Sequence, residues 1–241
     1  MCLVAVGIRV CGDVPLVIGA NREEHYRRGG TVPKVSVDSY RFVAGLDPAA
    51  GGTWLGVNEF GVVIAVANRK RERLPDSARS RGLLVRDLLS CRDMSTALSK
   101  ASEELRTDRY TGCNLLCADG EGATVLHAAD HLRSRSLEAG WHVFTAHDVD
   151  DESDPRIAYS LRFLREGPAG TAETTIELLK RLCSDRRDPP MCLHGQEGGT
   201  VSSSIIACGE RREKGAYWHC QGPPDENPYV DYSYLLWSLQ G

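Results

Sequence analysis

The sequence predicts a layered α+β fold, and three observations carry that reading. Strand-like runs rich in β-branched residues come in adjacent pairs joined by short turns bearing Gly, Asn or Asp, the mark of antiparallel hairpins. Helical periodicity arrives in two blocks of two segments, not after every strand, which argues against a Rossmann alternation. The run Val62-Val63-Ile64-Ala65-Val66-Ala67 is almost unbroken in its hydrophobicity and requires a strand covered on both faces.

The elements follow in order. Residues 2–9 and 15–20 read as two strands around the turn Cys11-Gly12-Asp13-Val14, and the charged, glycine-bearing stretch 21–34 reads as a loop ended by Pro33. A second hairpin joins Thr53–Val57 to Val62–Asn68 through Asn58-Glu59-Phe60-Gly61. The basic loop Arg69-Lys70-Arg71-Glu72-Arg73 reads as a solvated turn. Two helices then start near Gly82 and, with Asp93 or Ser95 as cap, at residue 96. Strands return at Cys113–Ala118, Ala123–His127 and Trp141–Thr145, followed by an acidic loop 148–155 that lacks the spaced Gly and terminal Glu of a calcium loop. Helices are expected at 156–165 and 171–184, the second capped by Thr171. The last strands are Thr200–Ala207 and Ala216–Cys220, joined by a polar turn over 209–215.

Composition narrows the function. The 241 residues contain no internal repeat or low-complexity linker, so a single domain over 1–241 is expected. The net charge of −4 argues against a nucleic-acid binder. No apolar run approaches the ~18–20 residues of a membrane span. The opening run has neither a basic n-region nor an A-x-A-like cleavage site, so a cytoplasmic location with reduced cysteines is expected. Nine cysteines cannot all pair. Their spacings make a poor zinc site: Cys113-x3-Cys117 lacks a second pair, and Cys192-x-His194 lacks a close partner.

Cys2 is the residue that invites chemistry. In one reading it is a small apolar residue opening a buried strand. In the other, an aminopeptidase removes Met1, and Cys2 then holds a thiol and a free α-amine, nucleophile and base in one residue.

The set of motifs resembles a known family. Asn21-Arg22-Glu23-Glu24 is similar to the Asn-Arg-Asp-Glu signature of the NRDE, or transport and Golgi organisation 2, family. The likeness continues through Gly45-Leu46-Asp47, Gly51-Gly52-Thr53-Trp54-Leu55-Gly56-Val57-Asn58 and Asp154-Pro155-Arg156. It ends with Gly199-Thr200-Val201-Ser202-Ser203-Ser204 and the tail Gly222–Tyr229. That family is in turn similar to N-terminal-nucleophile hydrolases of the choloylglycine hydrolase and penicillin V acylase branch. The resemblance implies a four-layer αββα sandwich with Cys2 as nucleophile at the start of an inner strand. It places Glu23 where the branch has an Asp that hydrogen-bonds the terminal amine, and Asn68 where it has an oxyanion-hole Asn. Two positions depart from the pattern. Ala20 stands where the branch carries an Arg, with Arg22 nearby, and Ala146-His147 stands where the family carries Ser-Asn, leaving His147 as a donor in that place.

The function so implied is hydrolysis of a linear amide, or a related acyl transfer, through a Cys2 acyl-enzyme, with a small amide or acyl substrate and no cofactor. The alternative that the resemblance implies is a non-hydrolytic protein of haem or lipid trafficking and homeostasis; with haem as ligand, Cys2, His25, His147 or His194 would serve as its ligands.

Overall fold

The structure is a computed structural model that describes residues 2–168, 170–209 and 215–239. Its organising feature is a pair of antiparallel sheets stacked face to face. The first sheet runs β10-β1-β2-β11-β12-β13, and the second runs β3-β4-β5-β6-β7-β8-β9. In the first, β1 is Leu3–Ile8, β2 Leu16–His25, β10 Gly140–Phe144, β11 Gly198–Cys208, β12 Ala216–Gln221 and β13 Val230–Asp231. In the second, β3 is Lys34–Val37, β4 Arg41–Ala44, β5 Leu55–Asn58, β6 Val63–Asn68, β7 Cys113–Ala118, β8 Ala123–Ala128 and β9 Leu132–Leu137. Helices α1 (Arg81–Leu88) and α2 (Met94–Leu105) belong with the second sheet, α3 (Pro155–Arg165) and α4 (Ala172–Cys183) with the first, and α5 (Ser233–Trp237) follows β13.

Strand periodicity sorts the apolar residues into three cores. Along β1, Val4, Val6 and Ile8 enter the space between the sheets, while Leu3 and Ala5 face α3 and α4. Along β6, Val63, Ala65 and Ala67 enter the same central space, and Ile64 and Val66 pack with Leu84, Leu88 and Ala97 of α1 and α2. Both strands are thus covered on both faces, as the unbroken apolar run around Ile64 requires. The layers are α, β, β, α in order, the expected four-layer sandwich.

Helix starts follow their caps. Asp93 accepts from the Thr96 amide at 2.7 Å, Asp154 from the Arg156 amide at 2.8 Å, and Thr171 from the Thr174 amide at 3.4 Å. Gly52 shows why one glycine is needed in the glycine-rich stretch before Trp54. A Cβ there would lie 2.2 Å from the Gly82 carbonyl carbon, so only glycine lets this loop pass the start of α1.

Several expectations need correction. The charged run Asn21–His25 is strand and not loop: β2 continues through it, paired with Leu3 on one side and with Gly198–Ser203 on the other. Polar side chains are tolerated there because the fold supplies partners, as with Asn21, whose amide donates to the Cys183 and Met191 carbonyls at 2.9 and 3.0 Å. Strands β3, β4 and β9 and the C-terminal β13 and α5 were not anticipated, and β9 hid because four of its six residues are exposed and polar. The basic loop is not simply solvated, since Arg69 pairs with Asp148 at 2.6 Å and Arg71 with Asp108 at 2.5 Å. Most of the turn expected at 209–215 lies outside the described residues, as does Met1.

Candidate active site

Cys2 immediately precedes β1 and, by strand alternation, faces the inter-sheet core with Val4 and Val6. There the apolar filling gives way to a cavity of about 260 Å³ lined by Cys2, Arg22, Glu23, Trp54, Asn68 and Arg81, among others. The backbone N–H of Glu23 donates to the Cys2 sulfur. Burial pushes the thiol pKa up and the Glu23 carboxylate adds to this, against the pull of that N–H and of the Arg22 guanidinium. An unaided Cys2 thiol is therefore a poor thiolate at neutral pH and needs a base.

The carboxylate beside it is held firmly. Glu23 is almost wholly buried, its side chain 3% exposed, and Arg156 grips it with two nitrogens, Nη2 at 2.5 Å and Nη1 at 3.3 Å. Arg156 owes its position to the Asp154 cap and to Pro155, which open α3 so that its first turn reaches β2. The same guanidinium donates to the Met191 carbonyl at 3.1 Å. Burial raises the Glu23 pKa, and Arg156 opposes the rise.

Arg22 lies 4.3 Å from the Trp54 ring centroid and donates to the Arg28 and Gly29 carbonyls at 3.4 Å each. Arg81 donates to the Gly112 carbonyl at 2.7 Å. Burial lowers the pKa of both guanidiniums, and among the described residues neither forms a salt bridge with a carboxylate. Asn68, the last residue of β6, pairs in register with Cys113, and its carboxamide makes no hydrogen bond to another described residue. It also borders a second cavity of about 530 Å³, which shares Glu23 and Glu24 with the first and reaches Leu193, His194 and Gly199.

Four residues singled out from the sequence, Cys2, Arg22, Glu23 and Asn68, thus line one cavity. His147 does not join them: its side chain is 53% exposed, its Nδ1 lies 3.8 Å from Asp151, and it borders neither cavity. Its backbone carbonyl instead accepts from Asn114 at 2.6 Å, which pins the loop after β10. Nor does a histidine line the Cys2 cavity, because His25 and His194 both belong to the second one. Sequence reasoning missed Arg156, Trp54 and Arg81 as site residues. The first two stood inside motifs that carried the family likeness, but nothing local said that Arg156 reaches a carboxylate 133 positions earlier.

Two antiparallel sheets between helical layers, with a cysteine opening an inner strand at the mouth of the inter-sheet cleft, define the N-terminal-nucleophile hydrolase fold. Solved structures agree. Penicillin V acylase from Agrobacterium tumefaciens superposes with a TM-score of 0.60 at 13% identity, over 98% of this chain and 88% of that one. A Caenorhabditis elegans ortholog of N-acylethanolamine-hydrolyzing acid amidase gives 0.58 at 13% identity, over 86% and 92%. Within that fold the chain belongs to the transport and Golgi organisation 2 family, whose profile matches residues 1–210. It is 37% identical over 108 residues to the Bos taurus transport and Golgi organization protein 2 homolog, covering 43% of this chain and 38% of that protein. None of the described helices is long and apolar enough to cross a membrane.

Proposed function

We propose that this protein is a cysteine amidohydrolase or acyl transferase that forms an acyl-enzyme on Cys2. The observation that carries the reading is the single cavity that gathers the Cys2 thiol, the buried Glu23 carboxylate and the unengaged Asn68 carboxamide at the mouth of the inter-sheet cleft.

The chemistry runs as follows once Met1 is removed. The α-amine of Cys2 takes the thiol proton, and Sγ attacks the substrate carbonyl carbon. Glu23, fixed by Arg156, accepts a hydrogen bond from the protonated amine and stabilises its charge. The Asn68 amide donates to the developing oxyanion. The ammonium then gives its proton to the leaving nitrogen, the C–N bond breaks, and a thioester remains on Cys2. Water, or another acceptor, attacks the thioester with the amine again as base, and the free thiol returns. Arg22, buried, and Arg81, half-buried, stand at the cavity wall without a carboxylate salt bridge among the described residues, and they favour a substrate with an acidic group near the scissile bond.

Intact mass of the purified protein, combined with labelling by an electrophilic acyl probe, tests this. Loss of Met1, rapid acylation of Cys2, its disappearance in Cys2→Ala and its slowing in Asn68→Ala are the expected results. A retained Met1, or labelling of Cys2 no faster than that of Cys11, would refute the proposal.

A further inference from the structure

Three side chains outside the Cys2 cavity point their donor atoms at one spot. Cys192 Sγ lies 2.9 Å from Asp225 Oδ1 and 3.7 Å from His194 Nε2, and that same nitrogen lies 3.0 Å from both oxygens of Asp225. Cys192 and His194 sit on the segment between α4 and β11, and Asp225 comes from the tail beyond β12. From these contacts we infer that Cys192, His194 and Asp225 form a binding site for a divalent transition-metal ion, with zinc as the best match.

The roles of the imidazole nitrogens favour an ion over a catalytic relay. In a Cys-His-Asp relay one ring nitrogen faces the sulfur and the other faces the carboxylate. Here Nε2 faces both, as a ring does when it shares a ligand with them. The spacing suits zinc as well. Bonds of roughly 2.3 Å to sulfur and roughly 2.0–2.2 Å to nitrogen and oxygen, at tetrahedral angles, separate donor atoms by about 3.4–3.6 Å. The three observed separations are each within roughly 0.7 Å of that range, a rotamer-scale adjustment. The donor set of one thiolate, one imidazole and one carboxylate is a borderline-soft one that zinc accepts, leaving a fourth position for water.

The ligands are also held by the backbone around them. The Cys192 amide donates to the Asp185 carbonyl at 2.9 Å, and Leu193 and Thr200 exchange bonds at 2.8 and 2.9 Å. Asn227 folds the tail back through its bond to the Pro223 carbonyl at 2.9 Å, which fixes Asp225 between them. His194 borders the 530 Å³ cavity, which gives an ion a route in from solvent. A thiol ligand gives up its proton to solvent as the S–metal bond forms. The sequence spacing Cys192-x-His194 could not show this site, because its third ligand lies 31 residues beyond His194.

The test uses the full chain stripped of metal, titrated with Zn²⁺ in competition with a chromophoric chelator and separately with Co²⁺. One equivalent bound with submicromolar affinity is expected, together with a thiolate-to-cobalt charge-transfer band. Cys192→Ser should abolish that band, and Cys2→Ala should retain it. Because Cys192 is buried, His194→Ala, at a side chain 26% exposed, serves as a second variant with its fold checked by circular dichroism, and it should weaken binding to the micromolar range or lose it. No binding tighter than micromolar in the unaltered chain, or equal binding in the unaltered chain and His194→Ala, would overturn the assignment.

Discussion

Replacing Arg156 by alanine isolates the contact on which the site's electrostatics depend. The substitution removes both hydrogen bonds to Glu23 and leaves a carboxylate, 3% exposed, without its guanidinium. Removing one partner of a buried ion pair costs about 3–5 kcal/mol, because the remaining charge keeps its desolvation penalty and loses its compensation. At about 1.4 kcal/mol per decade this is a two- to four-decade fall in the folding equilibrium constant. Chemical denaturation at neutral pH reads it directly. The pH dependence has a defined sign. Burial already holds the folded-state Glu23 pKa above its ordinary 4.5, and losing Arg156 raises it further. The folded state then binds the extra proton, so stability falls as pH rises from the ordinary value through the raised one. The variant should therefore come closest to the parent in acid, where Glu23 is protonated in both states. Adding Glu23→Gln removes the buried charge that Arg156 had balanced and should recover more than half of the loss. A cost below about 1 kcal/mol for Arg156→Ala, or a double variant no more stable than the single one, would refute the argument.

Other outcomes follow from the same geometry. Asn68→Ala should lower the acylation rate by about 100- to 1,000-fold without altering the denaturation midpoint, since the carboxamide is unengaged at rest. Asn58 ties β5 to the α1–α2 connection through the Leu89 and Cys91 carbonyls at 3.0 and 2.7 Å, so Asn58→Ala should cost about 2–4 kcal/mol in denaturation. Gly52→Ala would drive a Cβ into the Gly82 backbone and should lower the thermal midpoint while displacing Arg81 at the head of α1, read as slower Cys2 acylation. His127 is buried and its pKa is lowered from 6.5 to about 4, mainly by burial, with Asp148 opposing. Its neutral form is the folded one, so stability should be full above about pH 6.5 and decline toward pH 4, a dependence that His127→Gln should flatten.

The layered fold was legible because both kinds of periodicity survive in the chain: the two-sided apolar run around Ile64 and the helices capped by Asp93 and Thr171 show their roles locally. The edge strand β9 was not, because a solvent-facing strand held only by backbone pairing need not alternate apolar and polar side chains. The site shows the same division. The family motifs that carry Cys2, Glu23 and Asn68 led to one cavity, whereas Asn21–His25 looked like a loop because the partners of its buried polar groups, Arg156, the Cys183 and Met191 carbonyls and the Arg28–Gly29 turn, lie outside the run. Arg156 and Asp225 act through partners far along the chain, which no local pattern encodes.

The register of β2 has a consequence for how the protein is made. Its outer edge is closed by β11, whose Ser203 sits opposite Asn21, and the bond from Asn21 to Met191 spans 170 positions. A ribosome must therefore deliver most of the chain before the strand carrying Glu23 has its second neighbour. Until then β2, with its Glu23 carboxylate, is an open edge, and chains released early would expose it to other chains. The cavity beside Cys2 is thus completed only late in synthesis, once Arg156 and then β11 have joined the strand that carries Glu23.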